Sequence, residues 1–236
     1  MDYASAVALA PSGWRRFSIL DVHRLPASVR RHALAIIPDE EWELAEARDP
    51  SAVERVLRAS FWTLVYHLEP QRWDRLSQVE PIAPALVAAL PRVQRALDVG
   101  AGSGRLTYHL TRRAALVAAV EPSLGLLRLL RYRLPHVQAL AGWAESLPVR
   151  DGWSQLTAAC GAFGPDPNVL DELERATAED GVIALINPEE PEWFESRGWA
   201  RHEMAPARVK PHDRTIDDFF GPPDPPRVLV TKMKGT

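Results

Sequence analysis

Apolar positions along the chain follow two different rhythms, and the change falls near Pro91. Before it, Val53, Leu57, Ser60/Phe61, Leu64 and Leu68 recur at three- and four-residue intervals, which predicts one helix over 51–68 with a single apolar stripe. Asp49 stands where it can cap that helix, and Pro50 occupies the first helical position, where its missing N–H costs nothing. Pro38-Asp39-Glu40-Glu41 begins a shorter helix, with acids in the first turn where the dipole favours them. A third helical stretch, over 72–90, is interrupted at Pro81 and Pro84.

After Pro91 short apolar runs appear at 96–99, 116–120, 137–140, 156–160 and 182–186, separated by segments of helix length. Such runs suit strands buried on both faces, and their alternation with helices is a βαβ series. Two further runs, 199–204 and 227–231, flank a proline-rich stretch and read as a closing hairpin with a long connection. Within that connection Ile216-Asp217-Asp218-Phe219-Phe220 predicts a short amphipathic turn. The expected organisation is therefore a helical section over 1–91, acting as a substrate cover, and an α/β domain over 92–236.

Composition narrows the classes. A formal charge of −3 gives no support to a nucleic-acid partner, which calls for a basic surface. With Cys160 as the sole cysteine, no intramolecular disulfide can form, and no motif at ligand spacing argues for a metal. Apolar runs such as 114–120 are far shorter than the ~18 residues of a membrane span. The opening Met1-Asp2-Tyr3-Ala4 lacks the basic-then-apolar order of a secretory leader, so a cytoplasmic location is expected. The cluster Arg128, Arg131 and Arg133 reads as a solvated helix face.

The informative segment is Ala96-Leu97-Asp98-Val99-Gly100-Ala101-Gly102-Ser103-Gly104-Arg105, a buried strand running into alternating glycines and then a helix. Glycines allow a tight turn and close approach of backbone to a ligand, and the carboxyl end of the first strand is where open α/β sheets bind nucleotides. The dinucleotide fingerprint wants a glycine where Arg105 stands, which argues against a nicotinamide oxidoreductase. A carboxylate at Asp98 suits a ligand bearing an ammonium group. Glu121, at the end of the second strand, can accept two ribose hydroxyls. Cys160 reads as an inert thiol at the end of a buried strand. His67 and His109 are either general bases or packing residues.

These segments resemble class I S-adenosylmethionine-dependent methyltransferases of the small-molecule, type 11-like kind. Asp98 to Gly104 is similar to their first motif and Val120-Glu121-Pro122-Ser123 to their second. Ala141-Gly142-Trp143-Ala144-Glu145-Ser146-Leu147-Pro148 resembles the turn that lies along the adenine. Leu173-Glu174-Arg175-Ala176 with Glu179-Asp180-Gly181-Val182-Ile183 resembles the helix, turn and fifth strand that follow. The chain departs from the family at Trp143, where an acid is common, and at Ser154, where the fourth strand usually opens with aspartate. Asn187-Pro188 does not extend into the motif of nucleic-acid amino-methylating enzymes.

The resemblance implies a Rossmann-like three-layer α/β sandwich with a mostly parallel seven-stranded sheet, its last strand antiparallel. It implies S-adenosyl-L-methionine as cofactor, S-adenosyl-L-homocysteine as product, and a cofactor site at Asp98, Gly100, Ala101, Gly102, Gly104, Glu121, Pro122, Trp143, Ala144, Glu145 and Cys160. No catalytic residue is assigned, because an activated methyl needs alignment above all. A small-molecule acceptor is expected, contacted by Trp62, Tyr66 and His67, and a homodimer is an open expectation. The alternative reading is a non-catalytic module that binds the same cofactor or its product.

Overall fold

The computed structural model describes residues 2–235, with the side chains of residues 33 and 34 outside the description. Met1, where the expectation about a leader begins, lies outside it too. The chain forms two compact units, one reaching to Leu76 and taking in Pro211–Pro223, the other comprising Ser77–Lys210 and the residues from Asp224 onward. The helical part thus ends earlier than a single cut at 91 would put it, and a late segment joins it.

The first unit holds α1 (Tyr3–Leu9), α2 (Ile19–Arg24), α3 (Ala27–Leu34), α4 (Asp39–Glu46), α5 (Pro50–Ala59), α6 (Phe61–Leu68) and most of α7 (Pro70–Val79). Asp49 caps α5 as its position predicts, accepting from Ala52 N at 2.8 Å. The single helix expected over 51–68 is two helices meeting at Ser60, whose ψ of −1° opens the turn while its hydroxyl is buried with no hydrogen-bond partner. The apolar stripe keeps its face across the break, because Val56, Leu57, Phe61, Leu64 and Val65 are all buried. The third predicted stretch resolves into α7 and α8 (Pro84–Ala89), divided at the prolines that cannot continue a helix.

In the second unit α8 precedes a sheet whose parallel strands alternate with helices. The elements are β1 (Val93–Val99), α9 (Arg105–Leu110), β2 (Ala114–Glu121), α10 (Leu124–Arg133), β3 (Gln138–Ala141), β4 (Ser154–Cys160), α11 (Pro167–Ala176), β5 (Thr177–Ile186), α12 (Pro191–Glu195) and β6 (Ala200–Glu203). The chain then contributes α13 (Arg214–Phe220) to the helical unit and returns as β7 (Val228–Met233). The seven strands run in the order β3-β2-β1-β4-β5-β7-β6, with β7 antiparallel to both neighbours, as the predicted closing hairpin requires. Successive strand residues supply opposite faces. Ala96, Val117 and Ala119 join Leu86, Leu106 and Leu130 in one core, while Leu97, Ala118 and Val120 join Leu173 and Phe194 in the other. Helices therefore cover both faces, giving the three layers.

A chain of buried hydroxyls ties the start of β4 to that of β5. Ser154 Oγ lies 2.6 Å from Thr157 Oγ1, which lies 2.7 Å from Thr177 Oγ1, and Thr177 donates to Leu173 O at 2.6 Å. Each hydroxyl is fully shielded from solvent. Thr157→Val keeps the shape and removes the middle link, while Ser154 and Thr177 retain their backbone acceptors Ala176 O and Leu173 O, so a loss of about 0.5–1.5 kcal/mol is expected in denaturant unfolding.

Candidate cofactor site

The carboxyl ends of β1 to β4 all open on one end of the sheet, since the four strands are mutually parallel. The glycine turn leaves β1 there and is fastened to the end of β2. Gly100 N and Ala101 N both donate to Val120 O, at 2.9 and 3.0 Å. Gly102 N donates to Glu121 Oε2 at 2.9 Å, while Ser123 N donates to the other oxygen at 2.8 Å. Ser123 Oγ in turn caps α10 through Leu126 N. One carboxylate therefore binds the turn after β1 to the turn after β2. At Gly100, φ is +69° and an added Cβ would stand 2.7 Å from Ala162 Cβ, so neither the conformation nor the space admits a side chain.

Asp98 is 1% exposed and Glu121 5%. Burial raises the Asp98 pKa to about 7; the Thr107 hydroxyl, donating to Oδ2 at 2.5 Å, opposes this, and the charge of Glu121 adds to it. Burial also raises Glu121 to about 7, against the pull of its two backbone N–H donors. Asp98 Oδ1 is buried with no hydrogen-bond partner. An unsatisfied buried acceptor is costly, so this one is a position that a donor could complete.

The other residues expected at the site come out at the same end of the sheet. Pro122 follows Glu121, and Glu121 stands opposite Ala141, so Gly142, Trp143, Ala144 and Glu145 leave β3 beside it. Trp143 and Ser146 form a short bridge, Ser146 N donating to Trp143 O at 3.2 Å, and all of Trp143, Ala144 and Glu145 are half-buried. The segment is anchored to α11, where Glu172 accepts from Leu147 N and Arg175 donates to Leu147 O and Val149 O. Cys160 ends β4, and burial pushes its thiol pKa up, as an inert thiol requires. Ser154 is at the opposite end of that strand, in the hydroxyl chain. Its departure from the family pattern serves packing between β4 and β5.

Trp62, Tyr66 and His67 lie on α6 in the helical unit. Trp62 stacks on Phe220 with centroids 5.9 Å apart and an interplanar angle of 10°, and on Tyr66 at 5.9 Å and 26°. Trp73 closes edge-on against both. His67 is half-buried, and burial lowers its pKa to about 4, so it is uncharged at neutral pH and a weak base.

Two parts of the site escape sequence reasoning. Thr107, the partner of Asp98, is a polar residue on the inward face of α9, where the apolar flanks Leu106 and Leu110 suggest only packing. Arg105 reads as the start of a helix, yet its side chain is largely buried. Its Nη1 lies 3.2 Å from both the backbone oxygen and a carboxylate oxygen of Glu80, and Nη2 lies 3.6 Å from Cys160 Sγ. Nothing in local spacing links Glu80 to Arg105.

Because Asp98 and Glu121 titrate well above the ~3.9 and ~4.3 of the unfolded chain, the folded form holds these protons more tightly. These two carboxyls make the ligand-free protein less stable as pH rises from about 4 to about 7, while the half-buried His67, with its pKa lowered to about 4, acts in the opposite direction over the same range. Melting temperatures of the parent and of Asp98→Asn should therefore differ in slope across that range, the parent losing more stability as pH rises. A second expectation concerns the turn. Gly100→Ala must push Ala162 away and adopt a strained φ, so it should lower stability by ~1–3 kcal/mol in unfolding titrations.

Residues 96–181 match the family model described as a methyltransferase domain. An uncharacterised methyltransferase of Mycobacterium tuberculosis is 35% identical over 111 residues, covering 46% of this chain and 44% of that protein. The demethylmenaquinone methyltransferase of Renibacterium salmoninarum is 31% identical over 122 residues, covering 50% and 48%. The chain thus spans less than half the length of either relative in these matches. Among solved structures, a chain from the complex between the Haloferax volcanii Trm112 methyltransferase activator and a methyltransferase superposes with a TM-score of 0.51. It is 14% identical, with 71% of this chain and 93% of that one covered, a likeness of fold. Residues 96–181 are thus similar to a methyltransferase domain, and the strand order gives the sheet a Rossmann-like arrangement.

Proposed function

We propose that this chain transfers a methyl group from S-adenosylmethionine to a small-molecule acceptor. The observation that carries the reading is the pair of buried carboxyls on the glycine turn, Glu121 clamping Gly102 and Asp98 left with one unsatisfied oxygen. The residues present fit the cofactor. Each Glu121 oxygen accepts one N–H and keeps a lone pair for a ribose hydroxyl. Asp98 Oδ1 can take a proton donor such as an ammonium group, whose charge would draw its pKa back down. Trp143 offers an aromatic face to a purine, and Glu145 a carboxylate acceptor for its amine.

When bound, S-adenosylmethionine supplies a methyl already activated by its sulfonium. The chain's own contribution is to hold the reactants in line, an effect worth about 7–11 kcal/mol in favourable systems. The clamp suits that task, because Val120 O, Glu121 and the α10 cap fix the turn through five hydrogen bonds rather than by packing alone. No proton acceptor is assigned: His67 is held too far below neutrality to act efficiently at neutral pH.

The acceptor we propose is apolar or aromatic, bound with help from Trp62, Tyr66 and His67. Support comes from the stacked rings on α6, which remain partly open to solvent, and from a net charge that lends nothing to nucleic acid. No helix among the described residues is long and apolar enough to cross a membrane. The alternative of a non-catalytic binding module loses one of its two supports, since Ser154 belongs to the hydroxyl chain remote from the carboxyl ends.

Calorimetric titration with S-adenosylmethionine tests the reading. Saturable binding is expected, with Glu121→Ala weakening it at least about tenfold, or ~1.4 kcal/mol. Absence of binding by the parent protein would sink the proposal. If the acceptor rests on α6, Trp62→Ala should raise KM for the acceptor and leave cofactor affinity unchanged.

A further inference from the structure

Arg105 is a cation that the cofactor reading leaves without a role, although it stands at the same end of the sheet. It opens α9 directly after the glycine turn, and its side chain is only 15% exposed. Its Nη2 lies 3.6 Å from Sγ of Cys160, the last residue of β4, and an added Cβ at Gly161 would stand 3.8 Å from the same nitrogen. Burial, which raises the Asp98 pKa, is opposed in part by this guanidinium. A positive charge is therefore felt at the carboxyl that is to receive an ammonium group.

Unopposed, that charge would repel a positive ligand, and Glu80 is the group that opposes it. Arg105 Nη1 donates to Glu80 O and to Glu80 Oε2, each at 3.2 Å, and the Glu80 side chain is 13% exposed. The other carboxylate oxygen, Oε1, accepts from Asp224 N at 2.9 Å. Both oxygens are thus held, and all four residues, Glu80, Arg105, Cys160 and Asp224, belong to the sheet unit. Burying two charges carries a desolvation cost that their attraction seldom offsets in full, so stability is a poor reason for a pair at this place. Its position beside a ligand site supplies a better one, because a charge acts over longer distances where water is excluded.

We propose that Glu80 is a positioning residue of the cofactor site. By holding and neutralising Arg105 it keeps this end of the sheet receptive to the sulfonium of S-adenosylmethionine, and so sets how strongly the charged cofactor is preferred over S-adenosylhomocysteine, whose sulfur is neutral. The inference rests on the methyl-transfer reading. The two ligands share their adenosine and amino-acid parts and differ at sulfur by a methyl and one positive charge. Their affinity ratio consequently reports local charge, while the contacts they have in common cancel.

Titration calorimetry on the full chain, with each ligand in turn, reads that ratio. Glu80→Gln keeps the size of the side chain and leaves Arg105 uncompensated, so the ratio should move toward S-adenosylhomocysteine by at least about threefold. Glu80→Asp, which keeps the charge, should retain most of the parent's preference. Glu80→Gln combined with Arg105→Met removes both charges and should return the ratio to within about twofold of the parent's. A purely structural role predicts instead that both affinities fall together and that the double variant binds worse than either single one. Arg105→Met alone strands no cation and should hold or raise the preference for S-adenosylmethionine, which keeps the test decisive if Glu80→Gln does not fold. An unchanged ratio in Glu80→Gln, a double variant that does not recover, or a lowered preference in Arg105→Met overturns the proposal. Failure of the parent to bind either ligand overturns the methyl-transfer reading along with it, so the two failures are told apart.

Discussion

The carboxylate of Glu121 is the point on which the sheet end is organised. It receives Gly102 N on one oxygen and Ser123 N on the other, so the turns after two adjacent strands cannot move independently. Backbone donors in a glycine turn have few intramolecular partners, and a buried carboxylate has strong need of donors; each satisfies the other. Asp98, one residue before the end of β1, feels the same charge through low-dielectric surroundings. The arrangement concentrates desolvation where a ligand rich in donors can relieve it. A cofactor carrying hydroxyls and an ammonium group is chemically the complement of that end of the sheet.

Much of this was legible in the sequence. Runs such as 96–99 and 156–160 are apolar on both sides of the strand, so they announce a covered parallel sheet, and the five parallel strands fall where such runs lie, with β6 and β7 at 199–204 and 227–231 as the closing hairpin. The alternation of Gly100, Gly102 and Gly104 after Asp98, with Glu121 to follow, carried the site. What spacing could not carry were the long-range links. Thr107 and Asp98 meet because α9 folds back along β1, and Glu80 reaches Arg105 across 25 residues. The break at Ser60 also escapes periodicity, since a single opened turn scarcely disturbs a stripe of three- and four-residue steps. The joining of 211–223 to the helical unit had no local sign at all, beyond the amphipathic run at 216–220.

The helical unit has its own centre of gravity. Phe61, fully buried, touches Phe17, Trp62, Phe219 and Phe220 within ring distances of 4.9 to 6.4 Å. Gly13 lies directly against Phe219, where an added Cβ would meet the ring at 2.7 Å, and Ser12 donates to Asp218 O at 2.6 Å. The aromatic payload of this unit is thus assembled from residues some two hundred positions apart. Arg72 rests over the Phe219 ring at 4.4 Å, so a cation also takes part in holding the late segment.

That interleaving fixes an order of events at the ribosome. The helices over 3–68 emerge first, but the phenylalanines that complete their core arrive only with α13. The sheet meets the same delay, because β7, made after every other strand, sits in the interior between β5 and β6. The helical unit cannot finish folding before α13 is made, nor the sheet before β7. Nascent chains must therefore hold an open strand edge and an unfilled aromatic core at once, a state in which holdase chaperones have the most to offer.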